Sequence, residues 1–314
     1  MAKTKEISRR IKSIGNTKKI TRAMEMVAAA KMRKAVDAVL RTRTYANLSW
    51  ETVMHLSQVA SKKGETMHPL LTKRPETKKV AIILITSNRG MCGGYNSAVI
   101  AKAKESMKKH PVPTEFILVG KKGAAVYSQN QTVAAEFAKR DFIGDSKEAV
   151  AIINMVSGDF LSGKYDKVFV AYTDFVNAAK QVPRIKQLLP VDIESDDEYL
   201  GIVADPKVSV TKEMLTDKEK KHLVPQAGFE YVFEPSPEEV LDKIIPRLLE
   251  VQIYQALLEA NASEYSAQMS AMHQATEAAT DMVKELTLFY NKARQAGITA
   301  EIAEISAGAN ALAE

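Results

Sequence analysis

The residues most suggestive of chemistry form a glycine-rich stretch, TSNRGMCGGYN, from Thr86 to Asn96. It follows an apolar run and precedes a helix-favouring segment, which is where phosphate-binding turns of nucleotide-binding proteins lie. Its spacing differs from theirs, because Gly90, Gly93 and Gly94 give G-x-x-G-G and no lysine follows to reach a phosphate. We therefore predict a tight structural turn, with nucleotide binding as the alternative.

Other reactive side chains are not arranged as a site. Cys92 is the single cysteine, no histidine is close to it in the sequence, and a small buried cysteine is the commoner role. The carboxylate pairs Asp196/Asp197 and Glu238/Glu239 stand in polar surroundings typical of solvated charge. We predict no catalytic, cofactor-binding or metal-binding residues, since the histidines also lack the spacing of metal ligands: His55, His68, His110, His222 and His273.

The elements that must position these residues include two long terminal helices. Glycine and proline are absent between Gly15 and Gly64, and again between Pro246 and Gly297. The N-terminal apolar stripe is the weaker one: it slips near Lys18 and resumes through Ile20, Met24 and Val27. The C-terminal stripe has alternating spacings of three and four, which predicts a coiled-coil helix on the order of 100 Å long. Its members include Leu258, Ala262, Tyr265, Met269, Met272, Ala275, Ala279, Met282, Leu286, Phe289, Ala293 and Ala296.

Between these helices, apolar strand-like runs alternate with helical patterns, which predicts a mainly parallel sheet. The segment VPRIKQLLP predicts an edge strand, because its prolines exclude it from the centre of a sheet. Ser236 predicts the cap that begins the last helix. The resulting fold class is α/β: an antiparallel coiled coil of the terminal helices (1–64 and 236–314) plus a central Rossmann-like domain (77–234) with an exposed insertion at 192–228. A helical bundle within one globule is the alternative.

Positive charge is concentrated at the N-terminus. Residues 1–43 hold thirteen Lys or Arg against three acidic residues, a net charge of about +10. Such a segment favours an acidic partner, which could be protein or nucleic acid. A protein is favoured, because the basic residues surround the helix and no aromatic side chain interleaves them. They are Arg9, Arg10, Lys12, Lys18, Lys19, Arg22, Lys31, Arg33 and Lys34.

Three blocks of sequence together resemble the gamma subunit family of F-type ATP synthases over nearly the whole chain. They are RRIKSIGNTKKITRAMEMVAAAKMRKA (Arg9 to Ala35), RGMCGGYN (Arg89 to Asn96) and YNKARQAGITAEIAEISAGANAL (Tyr290 to Leu312). The last block fits the pattern I-T-x-E-x-x-[DE]-x-x-x-G-A of that family. The matching residues are Ile298, Thr299, Glu301, Glu304, Gly308 and Ala309.

The resemblance implies a rotor shaft without catalytic groups, cofactor or substrate of its own. In this family the paired helices turn inside a head of three alpha and three beta subunits (3:3:1 with this chain). The central domain rests on the membrane c-ring beside the epsilon subunit, and proton flow drives the rotation. The implied location is the cytoplasmic face of the bacterial inner membrane, with no cleaved presequence before Lys5. Nucleic acid is not an implied partner.

The resemblance also implies which residues touch the head. Met24 matches a position near the acidic lever loop of beta. Arg294 with Gln295 matches a pair that forms a hydrogen-bonded contact, called the catch, with another beta loop. Neighbouring contact positions are Thr299, Glu301 and Glu304. Two residues depart from the family pattern, Asn88 in place of Asp and Gln268 in place of Arg. The insertion at 192–228 lacks the cysteine pair of chloroplast members, so redox regulation is not implied.

Overall fold

The computed structural model of the protein describes residues 2–62, 68–109, 111–128, 133–140, 146–191 and 237–313. The insertion predicted at 192–228 and the cap predicted at Ser236 lie outside the described residues. Within the described ranges, no helix is long and apolar enough to cross a bilayer.

The described chain contains five helices and five strands. The predicted alternation of strands and helices between residues 77 and 191 is present, whereas the helix Lys121–Tyr127 and the strand Val133–Phe137 were not predicted from the sequence. The division of the chain into domains at 64/77 and 234/236 stays a prediction. In chain order the elements are α1 (Ala2–Lys62), β1 (Val80–Ile85), α2 (Tyr95–Lys109), β2 (Thr114–Val119), α3 (Lys121–Tyr127), β3 (Val133–Phe137), α4 (Lys147–Leu161), β4 (Lys167–Phe175), β5 (Gln181–Leu189) and α5 (Pro237–Ala313).

The five strands form one sheet in the order β3-β2-β1-β4-β5. The first four are parallel, and β5 pairs antiparallel with β4 at the edge. Pro183 lies in β5 opposite Thr173. Proline cannot donate a ladder hydrogen bond, so an edge position accommodates it. The predicted mainly parallel sheet with a proline-bearing edge strand is therefore confirmed.

The sheet is buried on both faces, which is why its strands are continuous apolar runs. On β1, Ala81, Ile83 and Ile85 join a core with α4, α5 and part of α1. Val80, Ile82 and Leu84 point to the opposite face and join a second core with α2. Alternation along a strand thus divides one apolar segment between two cores.

The chain divides into two compact units. Unit 1 consists of Met1–Ala30 and Gln268–Glu314, and unit 2 of Lys31–Ala267. Unit 1 contains the first part of α1 and the last part of α5. Unit 2 contains the sheet, helices α2 to α4 and the remaining parts of α1 and α5.

A buried carboxylate in unit 2 holds the segment that leads into β1. Asp166 Oδ2 accepts hydrogen bonds from the backbone N–H groups of Lys78 (2.7 Å) and Lys79 (2.9 Å). Its Oδ1 accepts one from Arg74 Nη1 at 2.8 Å. Burial acts to raise the pKa of Asp166, but the hydrogen bonds from Arg74 and the backbone outweigh it and lower the pKa.

We expect Asp166→Asn to lower the free energy of unfolding by about 2 kcal/mol at pH 7, because it removes hydrogen bonds to a charged acceptor. Since the folded pKa is depressed, this stabilisation is present above the ordinary aspartate pKa and is lost as pH falls through the folded value. Urea unfolding followed by circular dichroism measures both proteins at pH 7 and at about pH 3. The difference in free energy of unfolding between the parent and Asp166→Asn should be smaller at the lower pH. Asp37→Asn, at an exposed position of α1, is the control and should change stability by less than about 0.5 kcal/mol.

Candidate subunit-contact surface

The helix segments of unit 1 pair in opposite directions. Thr276 Oγ1 in α5 donates to Thr21 Oγ1 in α1 at 2.8 Å. His273 Nδ1 lies 3.1 Å from Glu25 Oε1. Moving forward along α1 therefore means moving backward along α5. This confirms the predicted antiparallel pairing.

The stripe of α1 that faces α5 differs from the predicted one. Ile20 is 60% exposed and Val27 is 56% exposed, so the predicted slip through these residues is wrong. Polar side chains occupy the inner positions between the apolar ones, and hydrogen bonds with α5 satisfy two of them. The inner stripe keeps an unbroken spacing of four and three: Ile7, Ile11, Ile14, Lys18, Thr21, Glu25 and Ala28.

The stripe of α5 within unit 1 is also displaced at alternate positions. Met282 is 53% exposed and Phe289 is 49% exposed, which contradicts their predicted inner placement. In each case the following residue, Val283 or Tyr290, is less exposed. Thr276 is likewise buried, at a position next to the predicted Ala275. The inner stripe is Met272, Thr276, Ala279, Val283, Leu286, Tyr290, Ala293 and Gly297.

A charged network lies beside Met24. Met24 is half-buried, and the neighbouring Glu25 is contacted by Arg22 Nη1 at 3.1 Å as well as by His273. His273 Nε2 is also 3.4 Å from Glu277 Oε1. Most basic residues on this part of α1 remain exposed. Lys19 and Arg22 lie within about two turns of Met24. Others lie nearer the start of the helix, so the segment carries accessible positive charge along its length: Lys5, Arg9, Arg10 and Lys12.

The other predicted contact residues lie near the end of α5. Arg294, Gln295 and Thr299 are exposed, and the Thr299 hydroxyl donates to the Gln295 backbone carbonyl at 3.0 Å. Every residue from 298 to 307 is exposed. This part of α5 therefore presents its whole circumference.

These residues do not converge on one face. Helical periodicity places Arg294 and Glu301, seven residues apart, on one face, with Gln295 and Thr299 on the adjacent one. Glu304 is exposed on a further side. Met24 is far away, because His273, near Met24, precedes Arg294 by 21 residues, roughly 30 Å along a helix. The structure thus defines two separate candidate contact regions.

Exposed isoleucines on α5 were missed as candidate contact residues. Ile298, Ile302 and Ile305 lie at spacings of four and three and are each about half exposed or more. Their helical spacing was visible in the sequence, but only the structure shows that no described segment covers them. They add an apolar component to the polar pair Arg294 and Gln295.

The glycine-rich stretch forms a self-contained turn in unit 2. Met91 (φ 67°) and Gly93 (φ 54°) adopt left-handed conformations. Asn96 closes the turn: its Oδ1 accepts from the Ser87 backbone N–H at 2.9 Å, and its Nδ2 donates to Ser87 Oγ at 2.7 Å. Ser87 Oγ in turn donates to the Arg89 carbonyl. Side chains of the turn thus form hydrogen bonds with backbone groups of the same turn.

Cys92 is buried inside this turn. Its Sγ lies 3.2 Å from Asn96 Nδ2 and 3.8 Å from Ser87 Oγ. Burial raises the pKa of the Cys92 thiol above its ordinary value. A thiol that stays protonated is a poor nucleophile, so the site favours the structural role predicted for this residue.

Helix α5 covers part of the carboxyl ends of the strands, which is where a sheet of this type binds ligands. Doubly wound sheets bind nucleotides outside the carboxyl ends of their strands. At these carboxyl ends, Ser263 Oγ of α5 donates to the Thr173 carbonyl in β4 at 3.1 Å. Glu264 pairs with Lys139, just after β3, at 2.6 Å. A cavity of about 240 Å³ lies at the opposite, amino-terminal ends of the strands, beside the first residues of β1, β2 and β4.

Comparison with known proteins matches the chain from end to end. A family model described as ATP synthase matches residues 3–312. The ATP synthase gamma chain of Roseiflexus castenholzii is 42% identical over 324 residues, and that of Dehalococcoides mccartyi (strain CBDB1) is 40% identical over 315 residues. Both matches cover 100% of this chain and of the relative.

Solved structures show the same fold. A chain of the Euglena gracilis mitochondrial ATP synthase rotor (rotational state 1) has a TM-score of 0.61 at 18% identity, covering 95% of this chain and 99% of that chain. A chain from the central stalk and c-ring structure of the Tetrahymena thermophila mitochondrial ATP synthase has a TM-score of 0.56 at 23% identity. That match covers 82% of this chain and 99% of the other.

Proposed function

Because this chain belongs to the ATP synthase gamma chain family, we propose that it is the central rotor shaft of an F-type ATP synthase. Proton flow through the membrane ring turns the paired helices, and the rotation drives ATP synthesis or hydrolysis in a head of three alpha and three beta subunits. The chain contributes no catalytic group. Its partners are alpha, beta, epsilon and the c-ring, and it needs no cofactor.

One observation carries the proposal: the end of α5 is a helix with every residue from 298 to 307 exposed, including three isoleucines. Exposed apolar side chains at helical spacing are typical of a surface that a partner covers. An enclosing collar of subunits would contact such a helix on all sides. The gamma chain relatives, matched over their full length, carry names that place them in this type of complex.

The two candidate contact regions fit two kinds of contact with the head. Around Met24, exposed lysines and arginines would attract acidic beta-subunit loops through salt-screened forces that tolerate changing geometry. At the end of α5, Arg294 and Gln295 would make directional hydrogen bonds with a beta loop, with Thr299, Glu301 and Glu304 as neighbouring contacts. We infer that the first region permits turning while the second holds defined positions.

As part of this complex the chain is peripheral to the membrane, at the cytoplasmic face of the inner membrane. The c-ring contact brings it there. The Tetrahymena chain that shares its fold comes from a structure of the central stalk with the c-ring.

Reconstitution tests the proposed function. The purified chain, mixed with alpha and beta subunits from the same organism, should form a 3:3:1 complex that hydrolyses ATP. The chain alone should bind and hydrolyse no ATP, because α5 contacts the strand ends where a nucleotide would lie. Size-exclusion chromatography with light scattering gives the stoichiometry, and the mixture without this chain is the control. Tight binding of ATP or NAD by the isolated chain would contradict the rotor assignment. It would favour the alternative function, a nucleotide-using α/β enzyme with helical arms.

A further inference from the structure

Within unit 2, α5 is surrounded on nearly all sides. Residues 255–263 are all buried, although helices at a domain surface usually expose one face. Several of the buried side chains are polar, including Gln255, Glu259, Asn261 and Ser263. Buried polar groups need partners of defined geometry. The partners of this part of α5 therefore fix its orientation in unit 2.

One side of α5 is held by a buried ion pair. Lys139 Nζ lies 2.6 Å from Glu264 Oε2, with only 2% of the Lys139 side chain exposed. The same ammonium lies 5.6 Å from the centre of the Tyr95 ring, at the start of α2. The Lys139 backbone carbonyl accepts a hydrogen bond from Asn88 in the glycine-rich turn. Lys139 thus links α5 to both ends of that turn.

A second side of α5 is held by the connection between β4 and β5. Ser266 Oγ donates to the Ala178 carbonyl at 2.6 Å and accepts from Gln181 Nε2 at 3.1 Å. Ser263 Oγ donates to the Thr173 carbonyl in β4. Serine is small enough to let the backbone approach while it supplies a directional bond.

A third side of α5 faces α1, where Lys31 Nζ lies 5.2 Å from the centre of the Tyr265 ring. Three turns before Ser266, on the same side of α5 as that serine, Thr42 Oγ1 of α1 donates to Gln255 Oε1 at 2.5 Å. Polar contacts therefore reach α5 from the segment after β3, from the β4–β5 connection and from α1. Rotation of α5 about its axis would break contacts on all three sides at once. We call the contacts of residues 255–266 the socket.

We propose that the socket is the joint through which torque passes between the α/β domain and α5, and that the Lys139–Glu264 pair is a positioning element that sets its torsional stiffness. This inference rests on the proposed rotor function. Apolar packing alone resists separation of surfaces, but it distinguishes poorly between neighbouring rotational settings of a helix. A buried ion pair is sensitive to small displacements, because both charges are deprived of water when they part. Helix α5 is continuous from Pro237 to Ala313, so the helix held in the socket is the same helix that carries the proposed contact with the head.

Single-molecule rotation tests the joint in the assembled complex. The head is fixed to a surface, and a bead is attached through a cysteine introduced by Lys104→Cys at an exposed position of α2, where buried Cys92 does not compete for the label. The variance of the bead angle during pauses measures the torsional stiffness between head and bead. The test variant combines Lys139→Met with Glu264→Leu, because replacing both partners of a buried ion pair by apolar residues usually preserves stability. The matched control combines Lys102→Met with Glu105→Leu, the partly exposed pair on α2.

We expect the test variant to raise the angular variance at least about twofold, because one side of the socket loses its directional contact. Unloaded ATP hydrolysis and the thermal midpoint should stay close to those of the parent, and the control should match the parent throughout. A purely structural role would shift the thermal midpoint without changing the variance. An unchanged variance in an assembled test variant overturns the proposal.

A second variant covers the case in which the double replacement does not assemble. Ser266→Ala removes two hydrogen bonds from another side of the socket while adding no volume. We expect a smaller rise in variance, about 1.5-fold, and a variance equal to that of the parent contradicts the socket. Failure of the parent chain itself to assemble or rotate would count against the rotor assignment instead, so the two failures are distinguishable.

Discussion

Gly120→Ala is expected to destabilise the α/β domain strongly, by about 3 kcal/mol, because two separate costs combine at this position. Gly120 has φ +96°, a conformation that residues with a side chain rarely adopt. A Cβ atom built there would lie 2.3 Å from the Thr86 carbonyl oxygen and 2.9 Å from its carbon. Both atoms belong to the backbone, so no side-chain rotation relieves the clash.

The disturbance would spread because Thr86 joins the ends of two strands. Its hydroxyl donates to the Val119 carbonyl at 3.1 Å and accepts from the Gly123 N–H at 2.9 Å. Gly120 N–H also donates to the Phe137 carbonyl, which connects β2 to β3. Displacing Thr86 therefore weakens the link between β1, β2 and α3.

Urea unfolding followed by circular dichroism measures this effect, and Gly158→Ala is the matched control. Gly158 lies within α4, and a Cβ added there meets nothing within 4 Å. Alanine is the better helix former, so the control should gain up to about 1 kcal/mol. Equal stability of the two variants would show that the geometry at Gly120 does not constrain the domain.

The sheet was predictable because its burial is simple. Each central strand lies between two layers of helices, so an uninterrupted apolar run such as VAIILI identifies it. Pro183 predicted that β5 lies at the edge of the sheet, because proline restricts strand pairing in a way that is independent of tertiary context. Both features can be read from a short stretch of sequence: the apolar run indicates a buried strand, and the proline indicates an edge strand.

The missed elements lack such signals. Strand β3 has the sequence VAAEF, with two alanines and a glutamate, and it depends on pairing with β2. Helix α3 has seven residues and includes Gly123, whose lack of a Cβ lets it approach Thr86 closely. Tertiary contacts create both elements, and a single sequence does not reveal those contacts.

The contact stripes of the paired helices were misplaced for a related reason. Apolar patterning favoured Ile20 and Val27 over Thr21 and Glu25, yet the polar residues face α5. Polar residues at inner coiled-coil positions restrict register at some cost in stability. Thr21 with Thr276, and Glu25 with His273, are such pairs. Only knowledge of the partner side chains makes their inner placement visible.

The contact residues themselves were identified through family resemblance. Nothing in the types or spacing of Arg294 and Gln295 distinguishes them from other exposed polar residues of a helix. The structure adds that these side chains are exposed near the end of α5. Their role stays a proposal, and it has a direct test.

Replacing both Arg294 and Gln295 with alanine is expected to lower ATP synthesis by the assembled complex about tenfold. Loss of charge-assisted hydrogen bonds to a partner costs about 1.5 kcal/mol or more, and 1.4 kcal/mol corresponds to a factor of ten. The helix should be unaffected, because both side chains are exposed and alanine favours helix. The hydrogen bond from Thr299 also survives, since its acceptor is the backbone carbonyl of Gln295.

The control is the double variant Asn291→Ala with Lys292→Ala, which removes an amide and a positive charge from exposed positions one turn earlier on α5. Synthesis and hydrolysis are measured in membrane vesicles with equal amounts of assembled complex, and circular dichroism checks the helix content of each chain. Loss of activity in the Arg294 and Gln295 variant alone would place the catch at these two residues. Full activity would remove them from the contact, and an equal loss in both variants would indicate a general need for polar surface on this turn. Because the exposed isoleucines remain in every variant, a selective loss would also separate the directional hydrogen bonds from the apolar contact that surrounds them.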